Sequence, residues 1–122
     1  MNIDIKKVKI IVTVPVENVE QVRNAICNEG AGVIGNYTYC TMSTKCIGTF
    51  IPDDKANPYI GEKNKLEFVE EEKLEAVCDI DIAKKVLKNQ VRSKMNNRCA
   101  YRVSACYEFE EYKNTYENKI EK

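Results

Sequence analysis

The chain has 122 residues, 43% hydrophobic and 31% charged, the size and balance of one globular domain. Nineteen Lys and Arg offset nineteen Asp and Glu, so no basic surplus draws it to nucleic acid or an anionic membrane. Histidine is absent, which excludes a Ser-His-Asp or Cys-His catalytic arrangement and imidazole-based metal sites within these residues.

The first residues carry no apolar signal core, and no run reaches membrane-spanning length. A cytoplasmic location with no membrane partner is expected. In chain order, Val8, Ile10, Val12 and Val14 alternate with Lys7, Lys9, Ile11 and Thr13. That period of two predicts a strand buried on one face, ended by Pro15. Val19, Val22, Ala25 and Ile26, with Cys27 alongside, fall at helical spacing, with Glu17 and Glu20 at the favoured end of the dipole. Gly30 is the expected C-cap.

All five glycines and two of the three prolines lie between Glu29 and Gly61. Residues 33–41 are expected as a strand, with Tyr37 and Tyr39 on one face. Met42-Ser43-Thr44 reads as its hairpin loop and residues 45–51 as the returning strand. Gly35 and Gly48 inside these strands predict a bulge or a close backbone approach. From Pro52 to about Lys65 runs a loop longer than most, given a specific shape by Asn57-Pro58 and Gly61.

Residues 66–78 read as a long strand, with a change of face near Glu72 that predicts a bulge. Asp79 or Asp81 is the expected cap of a second helix with Ile82, Val86, Leu87, Val91 and Met95 on its core stripe, ended by Asn96-Asn97. Tyr101, Val103, Ala105, Tyr107 and Phe109 alternate as the closing strand. The order predicts one α+β domain over residues 1–110. It is a ferredoxin-like split βαβ fold with a four-stranded antiparallel sheet, two helices on one face and an extended β-hairpin. Residues 111–122 read as a polar tail.

The six cysteines form no C-x-x-C pair, so free, mostly buried thiols are expected and not a disulfide or zinc framework. One alternative remains: the hairpin reading places Cys40 opposite Cys46, as a redox pair would require. Gly30, Gly32 and Gly35 follow a helix and do not precede one, so capping and turning is preferred over phosphate binding. Of Glu70, Glu71 and Glu72, only the first and third share a face without a bulge. A solvated face or an intersubunit ion pair is preferred over a metal site. Tyr37 and Tyr39 read as intersubunit packing.

Several of these residues carry a family resemblance. Gly30-Ala31-Gly32, Ile34-Gly35-Asn36-Tyr37, Gly48-Thr49-Phe50, Pro52, Asn57-Pro58 and Gly61 are followed by Leu66-Glu67, Val69-Glu70-Glu71 and Lys73-Leu74-Glu75. Together they resemble the domain inserted into bacterial Nif-three-like proteins, dinuclear-metal hexamers also called GTP cyclohydrolase type-two homologues. That domain is similar in fold to PII signalling proteins and to CutA, which form trimers. The resemblance covers residues 5 to 109 and implies the inserted domain standing alone, without the histidine and glutamate metal ligands. The family's His-Pro-Tyr-Glu-Glu motif is replaced here by Cys99-Ala100-Tyr101-Arg102-Val103, in which only Tyr101 matches.

The expectation is therefore a non-enzymatic, self-associating PII-like binding or regulatory module, a homotrimer without cofactor or metal. The alternative is an accessory or catalytic subunit related to the metal hydrolases. Any small-molecule ligand is expected in an intersubunit cleft built from Gly35, Asn36, Tyr37, Gly48, Asn57 and Tyr59. No catalytic residue is assigned.

Overall fold

A computed structural model of the chain describes residues 6–58, 60–90 and 99–106. Strand β1 (Lys7–Pro15) leads through a 3₁₀ turn (Val16–Asn18) into helix α1 (Val19–Asn28). Two long strands follow, β2 (Thr41–Phe50) and β3 (Glu67–Asp79). Helix α2 (Ile80–Gln90) and strand β4 (Ala100–Ala105) complete the described elements. The sheet has the order β2-β3-β1-β4, and every pairing is antiparallel. This is the expected ferredoxin-like arrangement.

The alternation in β1 organises the core. Val8, Ile10, Val12 and Val14 are 3% exposed or less and stand opposite Cys78, Ala76, Leu74 and Glu72 of β3. Both helices cover this face. α1 buries Val19, Val22 and Ile26 against it, and α2 buries Ala83 and Val86. Each aliphatic side chain so removed from water contributes roughly 1.5–3 kcal/mol. Ile82 and Leu87, expected on the core stripe, are half-buried, whereas the overlooked Ala83 is buried. Val91, Met95, the Asn96-Asn97 stop, Tyr107, Phe109 and the tail lie outside the described residues.

The first helix ends as its glycine predicts. Gly30, with φ +111°, donates its N–H to the Cys27 carbonyl at 3.0 Å, and Ala31 donates to the Ile26 carbonyl at 3.1 Å. This is the paired-bond Schellman ending, and Ala31 and Ile26 both belong to the buried core.

Three expectations are corrected. Residues 33–41 do not form a strand. Gly32, Gly35 and Tyr39 all take positive φ, which no extended strand tolerates. Instead Gly32 bonds to the Val77 carbonyl, Cys40 bonds back to the Gly32 carbonyl at 2.8 Å, and a closed loop results. Second, Met42-Ser43-Thr44 is no hairpin turn. It lies inside β2, whose pairing with β3 runs unbroken from Thr41↔Ala76 to Phe50↔Glu67. The extended hairpin is therefore β2–β3. Third, no bulge interrupts β3 near Glu72, because its registers with β1 and β2 are both continuous there. The apparent change of face is the point where the helices stop covering the strand.

β1 ends at Pro15, opposite Glu71. Beyond it, residues 47–50 and 67–70 continue as a two-stranded ribbon. Its side chains are exposed because neither helix nor third strand reaches them: Ile47 is 67% and Phe68 64% exposed.

Candidate functional site

The expected ligand residues fall at two ends of the long hairpin. Gly35 and Asn36 form a tight two-residue turn between Ile34 and Tyr37, which exchange backbone bonds of 3.0 and 2.9 Å. Gly35, at φ +57°, holds the position where such turns favour glycine. Asn36 is exposed and Tyr37 half-buried. This turn belongs to the loop anchored by Gly32 on Val77. Gly48 stands opposite Val69, eight residues away along β3, or roughly 27 Å at the usual strand rise. Within one protomer the structure does not bring these groups together.

Gly48 lies at the same end as the loop that follows β2. A Cβ on Gly48 would sit 2.8 Å from Glu71 Oε1. The close approach expected at this glycine is therefore filled by a carboxylate of the same chain.

The loop itself has the specific shape expected of it. Asp53 accepts a bond from the Lys55 backbone N–H at 2.9 Å, and Asp54 accepts one from Asn64 Nδ2 at 2.7 Å. Lys63 donates to the Asp54 carbonyl at 3.0 Å, and Lys65 pairs with Glu62 at 2.7 Å. Pro52 is buried and Asn57 exposed. Tyr59 lies outside the described residues.

All six cysteines are free, as expected, but only Cys78 is buried and the other five are half-buried, so the expectation of mostly buried thiols is corrected. Burial pushes the Cys78 thiol up to about 11, with neighbouring Asp79 adding to the effect and Lys7 opposing it. Cys27 is also raised by burial, an effect opposed by Arg23 and increased by nearby Cys40. Raised thiols are poor nucleophiles. Burial, with Cys99 adding, pushes the Tyr101 phenol up to about 12. The Cys40–Cys46 redox pair is corrected. Strand from Thr41 to Cys46 alone spans about 17 Å, far beyond disulfide reach of about 4.4–6.8 Å between Cα atoms. Cys46 instead donates to the Glu71 carbonyl at 3.5 Å.

Among the described residues, no three His, Cys, Asp or Glu side chains gather where they could hold a metal ion. The donor set of the described residues does not fit a dinuclear centre. No described helix is long and apolar enough to cross a membrane.

The sequence reading passed over one cavity, at the root of the ribbon. It is lined by Val16, Lys45, Cys46, Ile47, Glu70 and Glu71. The misplaced hairpin hid it, because only the true register sets Lys45 and Ile47 beside the glutamates.

Sheet order and helix placement define a PII- and CutA-like ferredoxin fold. CutA from Archaeoglobus fulgidus superposes with a TM-score of 0.61 at 13% identity, covering 94% of this chain and 99% of that one. Bacillus subtilis GlnK gives 0.54 at 14% identity, covering 83% and 85%. At such identities the likeness concerns the fold alone. A closer likeness is to a Bacillus cereus protein related to NIF3, with a TM-score of 0.70 and 34% identity over 88% of this chain and 27% of that one. The Halalkalibacterium halodurans GTP cyclohydrolase 1 type 2 homolog is 43% identical over 93 residues, 76% of this chain and 25% of the relative. The expected resemblance to part of the Nif-three-like proteins therefore holds. The chain spans about a quarter of the length of these relatives. No family model matches it.

Proposed function

We propose that the chain is a non-enzymatic, self-associating binding or regulatory module, acting in the cytoplasm as a homotrimer. The observation that carries this reading is the outer edge of β2. It is ten residues long, lacks a bulge, and carries Met42 at 71% exposure and Ile47 at 67%. An edge this long, with exposed apolar side chains among its polar ones, invites pairing, and proteins normally cover such edges. A neighbour that covers it head-to-tail generates a ring. The fold supports this assembly, since ring closure of this kind is implied by the resemblance to PII and CutA.

A ligand cleft then lies between copies. The loop after β2 in one protomer meets the Gly35-Asn36-Tyr37 turn of the next, which unites groups that stand far apart within one chain. Gly48, Asn57 and Tyr59 complete this cleft. Asn36→Ala is the test, with trimer mass and thermal stability measured beside binding of nucleotides and common metabolites. Loss of binding with an intact trimer supports the cleft. A broken trimer, or a melting temperature lowered by several degrees, assigns the turn to structure.

A second reading rests on the 43% identity to a protein described as a GTP cyclohydrolase homologue. It makes the chain an accessory or catalytic subunit of metal-hydrolase type. Without histidine, a di-metal centre here has only carboxylates and thiolates to draw on. Elemental analysis after desalting decides. Stoichiometric zinc, iron or manganese favours the second reading, and their absence with no cyclohydrolase activity favours the first.

A further inference from the structure

The loop after α1 folds back on the helix it leaves. Gly30 donates to the Cys27 carbonyl at 3.0 Å, and Cys40 donates to the Gly32 carbonyl at 2.8 Å. At the far end of the loop the Tyr39 hydroxyl donates to Asn28 Oδ1 at 3.4 Å. Residues 27–28 and 39–40 are thereby held side by side, although residues 29–38 run between them.

Each of these two pairs contains one cysteine. Both thiols are free and half-buried, neither sealed in the core nor fully in water. Burial raises the Cys27 thiol most, and a negative charge on Cys40 raises it further, so the sulfurs lie within reach of each other's field. Cys40 Sγ rests 3.8 Å from the Thr38 carbonyl, a weak sulfur hydrogen bond that a turn about one side-chain bond releases. The other thiols are placed elsewhere. Cys46 lies farther along β2 and bonds to the Glu71 carbonyl, and Cys78 is 4% exposed. Cys99 and Cys106 flank β4, which β1 and β3 separate from β2.

We propose that Cys27 and Cys40 form a thiol–disulfide exchange site whose co-substrate is a small-molecule disulfide of the oxidised-glutathione class. Burial holds Cys27 protonated, so Cys40 reacts first. Cys40 gives its proton to water, and its thiolate attacks one sulfur of the small disulfide. That S–S bond breaks and one small thiolate leaves. Cys27 then gives its proton to water and attacks Cys40 Sγ, and the second small thiolate leaves. The departing thiolates take up the two protons. Two protein thiols are oxidised and one small disulfide is reduced to two thiols. A raised thiol is slow against a partner in solution, but the second step is intramolecular, and a reactant held alongside acts at a very high effective concentration. The new bond draws the two Cα atoms to within about 6.8 Å. It closes a ring over residues 27–40 and restrains the Gly35-Asn36 turn inside it. The site lies within one chain and depends on neither the trimer nor the intersubunit cleft.

The test treats the reduced full chain with oxidised glutathione in native buffer, followed by denaturing mass spectrometry and peptide mapping without reduction. The chain should lose two hydrogens and keep the mass of a single chain. Cutting after Arg23, Glu29 and Lys45 releases peptides 24–29 and 30–45, each with one cysteine, and these two should appear joined. Dithiothreitol should separate them. Cys27→Ser should stop at a mixed disulfide that keeps one glutathione on Cys40, whereas Cys46→Ser should form the linked peptides as the parent does. The proposal is overturned if the two peptides stay unlinked, if either is joined instead to a peptide bearing another cysteine, or if the disulfides formed join two chains. The parent result needs no variant, so a Cys27→Ser chain that fails to fold leaves the test intact.

Discussion

Gly32 and Gly48 look alike in the sequence and differ in their surroundings. Gly32 holds φ +77°, and a Cβ there would meet the Cys40 backbone at 3.0 Å. Neither the dihedral nor a backbone neighbour can yield cheaply, so Gly32→Ala should destabilise by about 1–3 kcal/mol. Gly48 faces only the end of the flexible Glu71 side chain, which can swing aside. Gly48→Ala should therefore cost less than about 1 kcal/mol. Urea unfolding of the two variants checks the contrast, and equal losses would contradict it. Cys78 makes a pH forecast. It is 4% exposed, and its thiol is raised from 9.0 to about 11. The folded state thus holds a proton that the unfolded chain releases, so this contribution is intact below pH 9 and lost as pH rises toward 11. The slope is at most about 1.4 kcal/mol per pH unit. Cys78→Ala should show a shallower alkaline decline in unfolding free energy than the parent, and parallel curves would show that Cys78 contributes nothing to it.

Among the elements, those with a clean period were legible and those set by dihedrals were not. β1 announced itself because four aliphatic residues alternate and all four are buried. α1 and its Gly30 cap were legible because spacing and glycine agree. Residues 33–51 misled because Tyr37, Tyr39 and Ile47 also alternate, yet positive φ at Gly32, Gly35 and Tyr39 turns the first half into a loop. Met42-Ser43-Thr44 then looks like a turn, although its two hydroxyl side chains only reflect exposure on an edge strand. The placement of Lys45 and Ile47 opposite Glu72 and Glu70 was illegible for the same reason, since it depends on β2–β3 register. The loop after β2 was legible as a shaped segment, but its fasteners were not, because Asp54 meets Asn64 across ten positions. Asp54→Ala removes an exposed bond worth about 1 kcal/mol or less. It should speed proteolytic cutting within this loop while leaving the melting temperature nearly unchanged. Cleavage as slow as in the parent would show that the bond does not shape the loop.

At the scale of the molecule, the sheet is finished only where the helices lie over it. There it closes over a core of residues that are at most 5% exposed, while β2 and the ribbon beyond the helices present Met42, Ile47 and Phe68 to solvent. A single chain has no element left among those described to cover them. This asymmetry makes self-association the central claim, and it can be weighed directly. Multi-angle light scattering behind size exclusion, in dilute buffer, should give three times the 14.0 kDa chain mass, unchanged on dilution. A mass near 14.0 kDa at the same concentrations would contradict the account.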